Sequence, residues 1–276
     1  MPAEMIGLHR LALLMPGQAN DSDRGTLELM PRRLARNHVV GFEQLSEHAH
    51  PFITMRSRLI KRASETGERV FAVTSAQPGN GKTHVAVNLA AALSRITPTL
   101  LVDLDLRHPS VATRLGMPTP RLGVDDFLNL NASWPDIGRR IQGFDLHVYP
   151  GRARHEIAED LLGSERLRML FDTVRSLGND AICIVDLPPV AIDDDFTRIA
   201  PLTDGVLMVV EEGRTSRRAL TDALRLIHPV PLLGTVLNKS IGPGSAAPYY
   251  AYYRREAAPT GLLGRTRALL GRTRAR

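Results

Sequence analysis

Residues 71–83 read FAVTSAQPGNGKT, and the rest of the chain is organised around them. Phe71 to Thr74 is a short apolar run of the buried-strand type. A turn rich in Pro and Gly follows, and Lys82 and Thr83 then open an apolar-periodic stretch, HVAVNLAAAL, that reads as a helix. Strand, glycine-rich loop and helix, in that order, are what a phosphate-binding loop requires. The backbone N–H groups of Gly79, Asn80, Gly81, Lys82 and Thr83 are expected to converge on a phosphate, with the positive helix end adding to the attraction. Lys82 would reach the terminal phosphates, and the Thr83 hydroxyl would hold Mg²⁺. Glycine matters here because a Cβ would block close backbone approach and restrict φ. The pattern G-x-x-x-x-G-K-[ST] is one residue short, since Ala76 takes its first position. A chance Gly-Lys-Thr in a loop is the alternative, and it would not bring the strand and the helix with it.

The chain has 276 residues, 43% of them hydrophobic and 23% charged, which suits one large α/β domain with extensions. The one cysteine, Cys183, lies in an apolar run and reads as a buried, inert thiol, in keeping with a reducing cytoplasm. No stretch approaches the roughly 20 apolar residues of a membrane span. The start, MPAEMIGLHRLALLM, is broken by His9 and Arg10 and makes a poor secretion signal. The net charge is +6, and residues 249–276, with seven Arg and one Glu, account for all of it. The basic balance therefore belongs to a tail and gives no reason to expect a nucleic-acid-binding face on the core.

Residues 1–36 look irregular, with Pro, Gly, Asn and Ser between short apolar pieces. Residues 37–66 form a lead-in, in which 51–64 could be an amphipathic helix, either packed on the domain edge or used as a subunit contact. Residues 67–242 carry the main domain, and 243–276 a tail. Within the domain, TLLVDLDLRHPS at 99–110 gives a second buried strand, with Asp103 and Asp105 following it. On an extended strand both carboxylates would face one way, which suits Mg²⁺ or its waters. Arg107 falls on the same alternation and could neutralise phosphate. The alternative is that these acids cap the next helix. A short helix is expected at VDDFLNL, a strand at DLHVYP, and one helix over 158–177. AICIVDLPPV at 181–190 is a continuous apolar run ending at Asp186, the usual place for a second Mg²⁺ anchor. Asp193, Asp194 and Asp195 could favour the next helix N-terminus, or one could approach the metal. DGVLMVV, TSRRALTDALRLI and PLLGTVLN complete the alternation as strand, helix and strand, ending at Asn238. Buried strands alternating with helices predict an α/β fold, a doubly wound and mainly parallel sheet with helices on both faces. Ligands in such sheets bind at the strand C-termini, where Gly81, Lys82, Asp103, Asp186 and Asn238 all fall.

The segments SAQPGNGKT, LLVDLDLR, IVDLPP and GTVLN, in this order across about 67–240, resemble the bacterial tyrosine kinases, P-loop autokinases of capsule and exopolysaccharide biosynthesis. The wording of DLPPVAIDDD and LLGTVLNKS looks closest to an exosortase-linked subgroup. The resemblance implies ATP and Mg²⁺ as cofactors. It implies catalytic roles for Lys82, Asp103, Asp105 and Asp186, with Thr83 and the three acids around the metal. It also implies nucleotide contacts from the loop, from His84 and Arg107, and from Asn238 to the adenine. Asp103 or Asp105 would help to deprotonate the attacking tyrosine. Three departures stand out. Asn80 and His84 replace the family's usual Glu and Ser or Thr. Of the ring-assembly pattern E-x-x-R-x-x-R, aligned at His50, Ile53 and Arg56, only Arg56 survives. No membrane adaptor is fused, so an activating membrane partner, a chain-length regulator of export, would be a separate chain. The implied location is cytoplasmic and peripheral at the inner membrane, and a homo-oligomer is left open.

Four of the chain's five tyrosines, Tyr249, Tyr250, Tyr252 and Tyr253, lie in YYAYY behind the tether IGPGSAAP. They are the expected phosphoacceptors of an autokinase, or else an aromatic patch for a partner. LLGRTRA at 262–268 recurs at 269–275, and its Leu pairs and Arg could lie on an anionic membrane surface. A disordered basic tail is the alternative. Two rival functions remain. One is a positioning or partitioning ATPase, disfavoured because Gln77 stands where those proteins have an additional lysine. The other is a degenerate nucleotide-binding scaffold.

Overall fold

A computed structural model describes residues 25–155, 158–176, 181–192 and 194–240. The YYAYY cluster, the LLGRTRA repeats, the start of the chain and Asp193 lie outside the described residues. Eight strands, β1 (Thr26–Leu27), β2 (Val70–Ser75), β3 (Thr99–Asp103), β4 (Arg139–Ile141), β5 (Leu146–Tyr149), β6 (Ile182–Asp186), β7 (Gly205–Glu211) and β8 (Leu232–Asn238), form one sheet among these residues. Their order is β1-β4-β5-β3-β6-β2-β7-β8. Every neighbouring pair is parallel except β4–β5. The strands around the loop, β2, β3 and β6, are buried on both faces. That is why they read as unbroken apolar runs rather than as alternations.

Helices cover both faces. On one side, Phe71, Val73, Leu101 and Ile184 pack under α2 (His50–Thr66) and α3 (Lys82–Leu93). Helix α3 lies between the sheet and α2, so nearly all its side chains are buried, and its sequence shows little polarity of faces. On the other side, Val70, Ala72, Leu100, Val102 and Val185 pack against the helices of residues 124–137, 159–176 and 195–227. This is the doubly wound arrangement expected from the sequence. Cys183 is buried in that second core, and burial, helped by Asp204, raises its thiol pKa far above the ordinary range.

Two local expectations are corrected. Residues 26–36 are not irregular: β1 pairs with β4, and Pro31–Arg36 forms helix α1. Pro31 presets the first helical turn. The order comes from distant contacts, as Arg33 donates to Gly116 O (2.9 Å) and Asn37 to Thr113 O (3.0 Å) and Arg114 O (2.9 Å). The single helix expected over 158–177 is two, Glu159–Leu162 and Glu165–Ser176, with Gly163 at the break. Glycine weakens a helix interior by about 1 kcal/mol relative to Ala. Arg56, the surviving member of the ring-assembly pattern, turns inward and donates to Ala92 O of α3 at 3.3 Å.

His147 on β5 is buried, and its Nδ1 has no partner. Burial, with Arg140 nearby, lowers its pKa to about 4. The unfolded chain, with His near about 6.5, binds more protons than the folded protein between these values. Stability should therefore fall as the pH drops from about 6.5 toward 4. Urea denaturation across that range should show a shallower pH slope for His147→Phe than for the parent. Equal slopes would show that His147 is not the group responsible.

Candidate functional site

The loop after β2 is fixed by its own side chains and by the far strand ends. Asn80 is fully buried, and its Oδ1 accepts from Gln77 N at 3.0 Å. Its Nδ2 faces Glu211 Oε2 at 3.4 Å. From the end of β8, Asn238 Nδ2 donates to Asn80 O at 2.8 Å. Lys239 Nζ donates to Gly79 O at 2.8 Å and pairs with Glu211 at 3.0 Å. Gly79 and Gly81 have φ of 81° and 94°, a region that L side chains rarely adopt. A Cβ on Gly81 would come 2.1 Å from Asn238 Nδ2. The first bond into α3 runs from Val85 N to Gly81 O (3.0 Å). Among the described residues the amides of Lys82 and Thr83, just before it, have no protein acceptor, which leaves the helix's positive end available to an anion.

The acids are placed by strand register. Asp103 on β3 and Asp186 on β6 are direct neighbours across the ladder. Their parity matches Leu101 and Ile184, so both face the α3 side. Asp186 Oδ2 accepts from Thr83 Oγ1 at 2.6 Å, and its Oδ1 lies 3.5 Å from Lys82 Nζ. Lys82 Nζ pairs more closely with Asp105 Oδ2, at 2.7 Å. Thr83 Oγ1 also meets Ser110 Oγ at 2.9 Å. Burial, and then Asp186, push the Asp103 pKa up. Burial raises Asp186 as well, against the pull of Lys82 and Thr83. For Lys82, burial works against the charge, but Asp186 and Asp105 outweigh it and its pKa is raised.

The structure brings Lys82, Thr83, Asp103, Asp105 and Asp186 together and revises several details. Strand β3 stops at Asp103, so the alternation expected through Asp105 and Arg107 does not hold. Asp103 takes the capping role: its Oδ2 accepts from Ser110 N (2.9 Å) and Val111 N (3.0 Å), starting helix α4 (Val111–Leu115). Its Oδ1 is buried with no partner. Asp105 Oδ1 closes the turn to His108 N at 3.0 Å. Arg107 is held by buried Asp195, with Nε to Oδ2 at 2.6 Å. Asp195 also opens the helix Asp195–Ile199, the helix start expected of this acidic run, so it serves both that end and Arg107. His84 is half-buried, and burial, with Arg114 and His38, lowers its pKa to about 4, so it is neutral near pH 7. Among the described residues no three His, Cys, Asp or Glu side chains stand together as a ready metal centre. Sequence reasoning missed Glu211, Lys239 and Ser110. Glu211 carried a usable signal, an acid directly after an apolar strand.

Lys82, Thr83, Asp105, Arg107 and Ser110 line one cleft of about 410 Å³, together with Pro188, Pro189 and Ile192. The free amides, the glycine cradle and the unpartnered Asp103 oxygen fit a phosphate with a divalent cation. No helix among the described residues is long and apolar enough to cross a membrane.

No protein-family model matches the chain. It is 34% identical over 234 residues to the succinoglycan biosynthesis transport protein ExoP of Rhizobium meliloti, covering 81% of this chain but 29% of that protein. It is 25% identical over 222 residues to the tyrosine-protein kinase YwqD of Bacillus subtilis, covering 79% of this chain and 92% of that one. The crystal structure of the chimerical protein CapA2B2 superposes with a TM-score of 0.67 at 25% identity, over 86% of this chain and 99% of that one. The fold and the strand-tip site define a P-loop NTPase. Within that class, the sequence and structural matches point to the bacterial tyrosine kinases of capsule and exopolysaccharide biosynthesis.

Gly81→Ala tests the loop geometry. The left-handed φ alone costs a non-glycine residue about 1–2 kcal/mol, and the Asn238 brace must also move. A thermal melt should show a lower midpoint, and binding of a fluorescent nucleoside diphosphate should weaken at least tenfold. Unchanged binding would mean that the loop does not hold phosphate.

Proposed function

We propose that this chain is an ATP-dependent protein-tyrosine autokinase that regulates polysaccharide assembly and export, passing the γ-phosphoryl group of ATP to its tail tyrosines, Tyr249, Tyr250, Tyr252 and Tyr253. The observation that carries the reading is the convergence of Lys82, Thr83 and Asp105 in one cleft beside free helix-start amides, with buried Asp186 bound behind them to Lys82 and Thr83. The tyrosine-kinase relatives support it at the level of the family.

Each residue has a part. The amides of 79–83 bind the phosphates, and Lys82 leaves Asp105 to neutralise the γ-phosphate. Thr83, with Asp103, Asp105 and Asp186 around it, would hold Mg²⁺, which when bound supplies positive charge to the phosphates. His84 and Arg107 stand near enough in the cleft to contact the nucleotide. Asn238 uses one N–H on Asn80 O, and the amide's second N–H remains for the adenine. Of the two candidate bases, Asp105 lines the cleft, while Asp103 caps α4. Asp105 is therefore the carboxylate that takes the tyrosine proton. A phenol near pKa ~10 loses its proton to a carboxylate near ~4 only late, as the new O–P bond forms.

The setting follows from the same reading. The chain would work in the cytoplasm at the inner membrane with a separate membrane-anchored adaptor, with a homo-oligomer and a tail contact to anionic lipid as further elements. The scaffold alternative rested on Asn80 and His84. Asn80 serves inside the loop, on Gln77 N and Glu211, so its identity bears on loop shape rather than on transfer.

Incubation of the full chain with Mg·ATP, followed by anti-phosphotyrosine detection, tests the proposal. Lys82→Met should reduce the signal at least ~100-fold, the loss typical of one removed charge-stabilising donor. A signal of equal strength in Lys82→Met would exclude this cleft as its source. No signal from the parent chain, with the adaptor present, would leave a nucleotide-binding scaffold.

A further inference from the structure

Two consecutive residues after β7 and at the end of β8, Asn238 and Lys239, hold two consecutive carbonyls of the phosphate loop. Lys239 Nζ donates to Gly79 O at 2.8 Å, and Asn238 Nδ2 to Asn80 O at 2.8 Å. A trans peptide is planar, and its C=O and N–H point in opposite directions. Drawing the Gly79 oxygen toward Lys239 therefore turns the Asn80 N–H to the other side of the loop. Asn238 does the same for the Gly81 N–H. Among the described residues neither amide has a protein acceptor. Gly79 and Gly81 line the cleft, whereas Glu211 and Lys239 do not. The Lys239 ammonium is itself fixed by Glu211 Oε2 at 3.0 Å. That hydrogen bond holds the Glu211 carboxyl below its ordinary pKa range, so the anchor is charged at neutral pH. Lys239 has a φ of 55°, a left-handed conformation that glycine adopts freely and a lysine adopts at a cost. A glycine there would relieve the backbone but carry no ammonium.

We infer that Lys239 is a positioning residue for the nucleotide phosphates, acting through the Gly79 carbonyl from outside the cleft, and that Glu211 holds its ammonium there. The inference rests on the phosphate-loop reading above and deepens it. Asn80 lies between two glycines, whose wide φ/ψ range makes the neighbouring peptides easy to rotate. A loop left to itself would turn the Asn80 N–H away for part of the time, and a phosphate would have to order it on binding. Ordering of that kind lowers affinity, and a hold that is already in place removes the loss. Preorganisation of this sort differs from a cation attracting phosphate at a distance in two ways. Its removal costs every ligand that places phosphate on the loop the same factor, with or without a base. It also persists in high salt, where the screening length falls to about 3 Å at 1 M.

The test measures binding of ADP and of pyrophosphate to the full chain by calorimetry, at about 0.1 M and about 1 M KCl. Lys239→Met should weaken both ligands about tenfold, the scale of one lost hydrogen bond from a charged group. The factor should be the same at both salt concentrations. Lys239→Arg keeps a cationic donor and should bind within about threefold of the parent. Glu211→Gln should weaken both ligands by less than Lys239→Met does. The double variant should be no weaker than Lys239→Met alone, because both residues act on one peptide. Unchanged affinity in Lys239→Met, a loss confined to ADP, or a loss that disappears at high salt overturns the positioning role. Additive losses in the double variant overturn the part given to Glu211. A parent chain that binds neither ADP nor pyrophosphate overturns the phosphate-loop reading itself, and it does so before Lys239 is varied.

Discussion

Carboxylates buried at neighbouring strand ends are the constraint from which the site follows. Asp103 and Asp186 face each other across the β3–β6 ladder with no exposed surface. Taking a carboxylate out of water costs several kcal/mol unless charge and hydrogen bonds answer it. The protein answers with Lys82 and Thr83 from the start of α3, and with two backbone amides from the start of α4. One oxygen of Asp103 is left without a partner. An ammonium that bridges Asp105 and Asp186 is in position to exchange carboxylates for phosphate. The cluster therefore holds the strand ends and the start of α3 together.

The wider fold serves to bring these ends together. The central strands are parallel, so their C-termini share one edge, and β2, β3 and β6 are adjacent there. The loop is braced from the other side by β7 and β8, through Glu211, Asn238 and Lys239. These residues come from positions 130 or more beyond the loop in sequence, so the loop's shape is a property of the folded sheet. Asn80 shows the consequence. Its side chain closes the turn on Gln77 N and faces Glu211.

What could be read from the sequence follows from the same physics. Runs such as Phe71–Thr74 and Ile182–Val185 were legible because strands buried on both faces are almost wholly apolar up to their ends. Lys82 and Thr83 were legible from the glycine-rich loop that opens a helix, and Asp103 and Asp186 because a polar residue at the end of such a run needs a reason. Side-chain destinations set by tertiary contact were not legible. Arg107 could not be assigned to Asp195, 88 positions away, nor Asn238 to the loop carbonyl. The turn after Asp103 ended the strand and redirected Asp105 toward Lys82, where period-two alternation had kept it in line with Asp103. Helix α1 and strand β1 were missed because distant partners order them, and no local pattern marks those contacts.

The most direct test is a crystal structure with Mg²⁺ and a non-hydrolysable ATP analogue. The β- and γ-phosphates should lie on the amides of residues 79–83. Lys82 Nζ should have left Asp105 for the γ-phosphate, with the metal at Thr83 and the freed carboxylates. A nucleotide bound elsewhere, or a Lys82 still paired with both Asp105 and Asp186 beside a filled loop, would contradict the assignment.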